Sequence, residues 1–332
     1  MNITKSNLFF SWCISLLLVG LLPQKTYAQA LKIQRDLVVA KDGSGDFRYI
    51  QDAIDAIRVY LPKAITVHIK KGIYKEKIII PSTLTNISFV GESLDSTIIS
   101  YDDYSGKGKM ETFDSYTLRI MGNDIVIKNL TIENTAGRVG QAVALHIEGD
   151  RCVIDNCKLL GNQDTVFASG ENARQYFLNC YIEGTVDFIF GSSTALFENC
   201  QIHSKSNSFI TAASTPRWVV YGYVFKNCRL TADIGVDKVY LGRPWRDYAK
   251  TVFIDCEMGN HILPVGWDNW SRPETEQTTF YAEYRCSGSG YKPQSRAKWS
   301  YQLTNKEASE YTLENIFSGK QIPKFGVFWQ KK

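Results

Sequence analysis

Phe177-Leu178-Asn179-Cys180 is followed by Phe197-Glu198-Asn199-Cys200, Phe225-Lys226-Asn227-Cys228 and Phe253-Ile254-Asp255-Cys256. Looser versions precede it, Ile127-Lys128-Asn129-Leu130 and Ile154-Asp155-Asn156-Cys157. Measured at the Asn or Asp, the steps are 27, 23, 20, 28 and 28 residues. A period in this range is the signature of stacked supersecondary units. Each phrase runs on into an alternating pair such as Tyr181-Ile182 or Gln201-Ile202, which reads as a short strand. Strand-rich units with no helical periodicity between them point to a parallel β-solenoid whose variable steps are loops. The repeated cysteines then form an inward stack of small apolar side chains beside a ladder of asparagines. Seven of the eight cysteines, Cys152, Cys157, Cys180, Cys200, Cys228, Cys256 and Cys286, lie in this part of the chain. Parallel side-chain directions argue for buried free thiols rather than disulfides.

Outward from the repeat, the flanks are different. Ile50, Ala53, Ile54 and Ile57 share one face at helical spacing, so a short amphipathic helix is expected to plug the N-terminal end of the solenoid, where core and strand edges are otherwise bare. The segment from Trp267 onward carries no repeat phrase and is expected to wrap or cap the other end. Ahead of everything, Lys5 precedes an apolar run from Leu8 to Leu22 and a close in Ala28-Gln29-Ala30. That pattern is a secretory signal peptide over residues 1–30, leaving 31–332 as one domain, secreted or periplasmic with no membrane insertion after cleavage. The net charge of +4 includes Lys5 and Lys25, so the remainder is near +2. So small an excess argues against nucleic acid as partner and is compatible with an acidic polymer.

The repeat also serves as a ruler. Asp164 falls eight residues after Asn156, and Asp187 eight after Asn179, which places both carboxylates on one face in consecutive coils. Val186-Asp187-Phe188-Ile189-Phe190 surrounds the second with apolar side chains, an expensive setting for an unpaired charge. Two such carboxylates cannot both stay ionised cheaply, so one is expected to hold a proton and the other to be kept charged by a cation. That pair alone suits a nucleophile with an acid in an esterase and equally the two carboxyl groups of a retaining glycosidase. His68, His146, His203 and His261 are scattered, none in metal-ligand spacing, and no serine nucleophile elbow or phosphate loop is present. No cofactor and no metal are expected.

Five segments decide between those chemistries. Gly72-Ile73-Tyr74-Lys75-Glu76, Gln141-Ala142-Val143-Ala144-Leu145, Gly161-Asn162-Gln163-Asp164-Thr165-Val166, Asp187-Phe188-Ile189-Phe190-Gly191 and Leu241-Gly242-Arg243-Pro244-Trp245 resemble, in order, the signature segments of the pectin methylesterases. The resemblance implies a right-handed single-stranded parallel β-helix and hydrolysis of the methyl esters of pectin; a solenoid with an open groove needs no partner, so a monomer is expected. It implies Asp187 as nucleophile, Asp164 as general acid and then base, Gln141 and Gln163 as oxyanion donors, and Arg243 as the cation that keeps Asp187 ionised. Trp245 and Phe190 would line the sugar cleft, and Thr117 would touch substrate; Tyr74 and Glu76 read as structural. Asn162 stands where many members carry an aromatic residue, which implies a more polar cleft wall. Amide donors serve a tetrahedral oxyanion and do nothing for a positive oxocarbenium-like state, so the set favours acyl transfer. A β-helix hydrolase or lyase, and a non-catalytic carbohydrate-binding β-helix, are the rival readings.

Overall fold

A computed structural model describes residues 33–318; the expected signal peptide lies outside the described residues. The chain runs repeatedly through three parallel sheets of eleven, eight and seven strands, each of the seven complete coils adding one strand to every sheet. The first sheet extends from Leu37–Val39 to Tyr301–Gln302, the second from Gly72–Lys75 to Glu257–Met258, and the third from Ile78–Ile80 to Tyr240–Pro244. This is the right-handed parallel β-helix implied by the repeat. Among the described residues no helix is long and apolar enough to cross a membrane.

The repeat phrase marks the corner between the first and second sheets. Asn129, Asn156, Asn179, Asn199, Asn227 and Asp255 all adopt left-handed backbone, with φ between 51° and 57°. Asn and Asp tolerate that region best among residues with a side chain, which explains why the phrase repeats them. The ladder is held chiefly by its backbone: the N–H groups of Asn156, Asn179, Asn199 and Asn227 donate to the carbonyls of Leu178, Glu198, Lys226 and Ile254 in the next coil. A side-chain link is made between Asn156 and Asn129, at 3.0 Å.

One residue further on, the cysteines turn inward as free, buried thiols. Each donates to a carbonyl one coil back: Cys180 to Ile154, Cys200 to Phe177, Cys228 to Phe197 and Cys256 to Phe225, at 3.3 to 3.5 Å. Beside them Phe177, Phe197, Phe225 and Phe253 stack face to face, with successive centroids 4.5 Å apart. Each such ring contributes about 1.5 to 3 kcal/mol by burial, so the repeat phrase is the core itself.

At the N-terminal end Ile50–Ala56 is helical, with Ile50, Ala53 and Ile54 buried against the first coils. Its free N–H groups are capped from outside: both carboxylate oxygens of Glu76 accept, from Ile50 at 3.1 Å and Gln51 at 3.0 Å. Tyr74 is fully buried and its hydroxyl donates to the Lys70 carbonyl. Both residues are structural, as expected.

The reading of the C-terminal segment needs correction. Phe280–Tyr284 continues the first sheet in parallel register with Lys250–Ile254, Arg285 takes the left-handed corner at φ 48°, and Cys286 joins the thiol stack by donating to Phe253. This is one more repeat, hidden because arginine replaces asparagine at the corner. Beyond it the chain does both: Tyr291, Ala297 and Trp299 pack over the end of the core, and the rest wraps the side. Leu303, Ile316 and Phe317 pack on the outer face of the first sheet with Tyr176, Leu196 and Val224. Arg174, paired with Asp150, pins the end of the Leu313–Phe317 helix by donating to the Phe317 carbonyl at 2.9 Å.

Candidate active site

The third sheet carries one outward row in direct register: Ile79, Arg119, His146, Phe167, Phe190, Ala212 and Arg243. Coils stack about 4.8 Å apart, so this row forms a long floor. Its middle is apolar, with Phe167, Phe190 and Ala212 clustered with Tyr116 and Val143 beneath Trp245 and Trp270.

Asp164 and Asp187 stand where the chain enters this sheet from the second, each just before a strand, Val166–Ala168 and Ile189–Gly191. Both hold left-handed backbone, and their N–H groups donate to Val186 and Phe209 of the following coil. Arg243 reaches Asp187 with a two-pronged grip, Nε to Oδ1 at 3.0 Å and Nη2 to Oδ2 at 2.6 Å. The guanidinium is itself clamped between two rings, 3.9 Å from the Phe209 centroid and 3.5 Å from that of Trp270. A delocalised, weakly hydrated cation suits such a slot.

The two carboxyls are thereby made unequal. Burial pushes Asp164 well above the usual carboxylate range, and the charge of Asp187 pushes it further. Burial raises Asp187 as well, but the Arg243 fork pulls it back. Asp187 therefore gives up its proton first and Asp164 keeps one, an arrangement of anion beside acid.

A pocket of about 240 Å³ opens over the pair, and its lining brings together Gln141, Gln163, Asp164, Asp187, Phe190, Arg243 and Trp245. Gln141 and Gln163 are bridged in parallel, so their side chains leave adjacent coils at the same edge. Phe190 stacks on Phe167 at 4.6 Å and meets Trp245 at 5.8 Å. Thr117 is not brought to this pocket. It is fully buried and its hydroxyl donates to the Glu133 carbonyl at 2.9 Å, inside the wall. Thr112 and Phe113 line the pocket instead, from the excursion that precedes Thr117, and Trp270 closes the far side. Asn162 is not part of the lining either, and the walls nearest the carboxylates are aromatic. Nothing in the repeat marks Phe113 or Trp270: one sits in a long excursion and the other beyond the last recognisable phrase. Among the described residues no group of three or more His, Cys, Asp or Glu is arranged to hold a metal ion.

The family model for pectinesterase matches residues 36–320. The chain belongs to the pectinesterase family. Among its relatives, Pectinesterase 31 of Arabidopsis thaliana is 37% identical over 294 residues, spanning 85% of this chain and 92% of that protein. A pectin methylesterase from carrot superposes with a TM-score of 0.81 at 31% identity, covering 90% of this chain and 98% of its own. A pectin methylesterase solved in complex with a hexasaccharide superposes with a TM-score of 0.75 at 29% identity, covering 89% and 99%. The pectinesterase match extends over the whole coil stack, including the hidden coil at Arg285 and Cys286.

Proposed function

We propose that the chain hydrolyses the methyl esters of pectin to free carboxylates and methanol by double displacement on Asp187. The observation that carries this is the Arg243 grip on Asp187 beside a buried, proton-holding Asp164. A carboxylate oxygen of Asp187 attacks the ester carbonyl carbon, and negative charge moves onto the carbonyl oxygen. The amides of Gln141 and Gln163 suit that oxyanion, one such donor being worth about 3 kcal/mol. Collapse breaks the bond to the methoxy oxygen, which takes the Asp164 proton and leaves as methanol. The sugar acid is now joined to Asp187 as a mixed anhydride. Water adds to its former ester carbonyl carbon while Asp164 accepts the water proton; collapse then releases the galacturonic acid and restores both aspartates.

Phe190, Trp245, Phe113 and Trp270 give the sugar rings flat apolar faces next to the reacting groups. An acidic polysaccharide fits the weak positive charge better than a nucleic acid does. The apolar N-terminal run supports export to where pectin is found.

The test is methanol release from highly methylated pectin by the wild type and by Asp187→Ala, assayed beside new reducing ends and unsaturated products. Methanol without chain cleavage, abolished in the variant, is the expected result. Absence of methanol in the wild type overturns the reading, and cleavage products would then favour a hydrolase or lyase.

A further inference from the structure

Phe209 belongs neither to the repeat phrase nor to the pocket lining, yet it reaches both members of the Asp187–Arg243 pair. It opens the strand Phe209–Ala213 of the third sheet. Its carbonyl accepts the Asp187 N–H at 2.9 Å, and its ring centroid lies 3.9 Å from the central carbon of the Arg243 guanidinium. At that range a planar cation lies face-on to the ring, since an edge contact would hold its centre farther away. Trp270 comes to 3.5 Å, and two rings this close must cover opposite faces. What remains is the edge of the guanidinium, where Nε and Nη2 meet the carboxylate.

Both rings are themselves fixed. Phe209 pairs in register with Tyr240, at the start of the strand that carries Arg243, and the two rings stack at 5.0 Å. Trp270 and Ser271 hold left-handed backbone in succession, φ 58° and 54°, a conformation that costs energy for residues with a side chain. Asp268 maintains it by accepting the Trp270 N–H at 2.7 Å, and Arg272 ties down the same turn by donating to the Pro244 carbonyl. The turn thus sets the indole against the face that Phe209 leaves open.

The other titratable groups around the pair are Asp164 from the preceding coil, Asp268 from that turn and the Tyr281 phenol, which burial keeps protonated. Arg272 is turned toward Pro244 and, at 4.0 Å, Asp247. Burial first and Asp268 after it favour the protonated form of Asp187, and Arg243 opposes them. The plane of the guanidinium therefore matters: tilted, it offers the carboxylate one N–H instead of two.

We propose that Phe209 is a positioning residue for the nucleophile, its carbonyl setting the Asp187 backbone while its ring, opposite Trp270, holds the Arg243 guanidinium in the plane of the Asp187 carboxylate. Removing the ring frees the cation to tilt and admits water to one face, so burial keeps the proton on Asp187 to higher pH. Activity is then lost on the acid side and regained as pH rises. The kinetic consequence rests on the esterase reading; the contact itself does not.

The experiment records kcat and KM for methylated pectin against pH in the wild type, Phe209→Leu, Phe209→Tyr and Trp270→Leu. In Phe209→Leu the acid limb of kcat/KM should move up by about one pH unit, the scale of one desolvated ring–cation contact. KM should stay at the wild-type value, because Phe209 does not line the pocket. Phe209→Tyr keeps the ring and should keep the wild-type limb. Trp270→Leu should shift the limb in the same direction and raise KM as well, since Trp270 also faces the pocket. An unmoved limb in Phe209→Leu, a loss of rate equal at every pH, or a tyrosine variant shifted as far as the leucine one overturns the proposal. Should Phe209→Leu fail to fold, the limb of Trp270→Leu decides, and its staying in place would overturn the clamp. Were the wild type to release no methanol, the esterase reading would fall instead. The ¹³C shift of the Asp187 carboxyl, followed against pH in the same variants, would still decide whether the rings set its ionisation.

Discussion

Asp164 and Asp187 occupy the same corner of consecutive coils and share the same unusual backbone, φ 65° and 48°. Positive φ is uncommon for residues other than glycine, so the corner that aims each carboxylate at the cleft is specified by the residue type as well as by the chemistry.

From this pair follows a rate loss of at least about a thousandfold in Asp187→Ala, since the covalent step has no substitute. Methanol release measures it, and near-normal turnover in the variant would exclude Asp187 as nucleophile.

Asp164→Asn should slow turnover by about 10² to 10⁴ and abolish the alkaline limb of the pH–rate profile, which reports loss of the Asp164 proton. Stability should change in the opposite sense. Asp164 is raised in the folded state, so its contribution to stability is complete below the ordinary carboxyl range and is lost as pH rises through the folded value. An asparagine never acquires that charge, so the Tm advantage of the variant should grow from acidic to alkaline pH. Calorimetry at several pH values checks this, and a pH-independent difference would contradict the burial argument.

Arg243→Lys keeps a charge but loses the fork and the ring clamp. With less to oppose burial, Asp187 should hold its proton to higher pH. The acid limb of kcat/KM should move toward neutrality, and turnover should fall by about tenfold or more. An unmoved acid limb would mean that the cation does not control the nucleophile.

The thiol stack predicts indifference to reductant. The Tm should be the same with and without dithiothreitol, and the described cysteines should react with a thiol reagent only after unfolding. Cys200→Ser should cost about 1 to 3 kcal/mol, because a hydroxyl is expensive at that depth.

Glu76→Ala removes the two acceptors at the start of the end helix. A loss of about 0.5 to 2 kcal/mol is expected, with faster amide exchange at Ile50 and Gln51 than in the core strands.

Most of the architecture was legible in the sequence because the repeat is physically redundant. The same corner needs a left-handed residue each time, the next position faces inward each time, and equal offsets from Asn156 and Asn179 therefore aligned the two aspartates. The last coil escaped because Arg285 meets the corner's demand without resembling asparagine. Phe113 and Trp270 escaped for another reason: they approach the cleft from excursions whose paths the repeat does not govern. Thr117 shows the converse error, since a polar residue beside the cleft in sequence spends its hydroxyl on the Glu133 carbonyl within the wall.

Left-handed corners also separate the length of a coil from the placement of its strands. Steps between phrases range from 20 to 28 residues, yet the inward thiols and stacked rings keep their register. The surplus is spent between the second and third sheets and between the third and first, outside the stack. Evolution can therefore lengthen or trim the excursion that supplies Phe113, and so alter which stretches of polymer are admitted, while the foundation bearing Asp164, Asp187 and Arg243 is inherited unchanged.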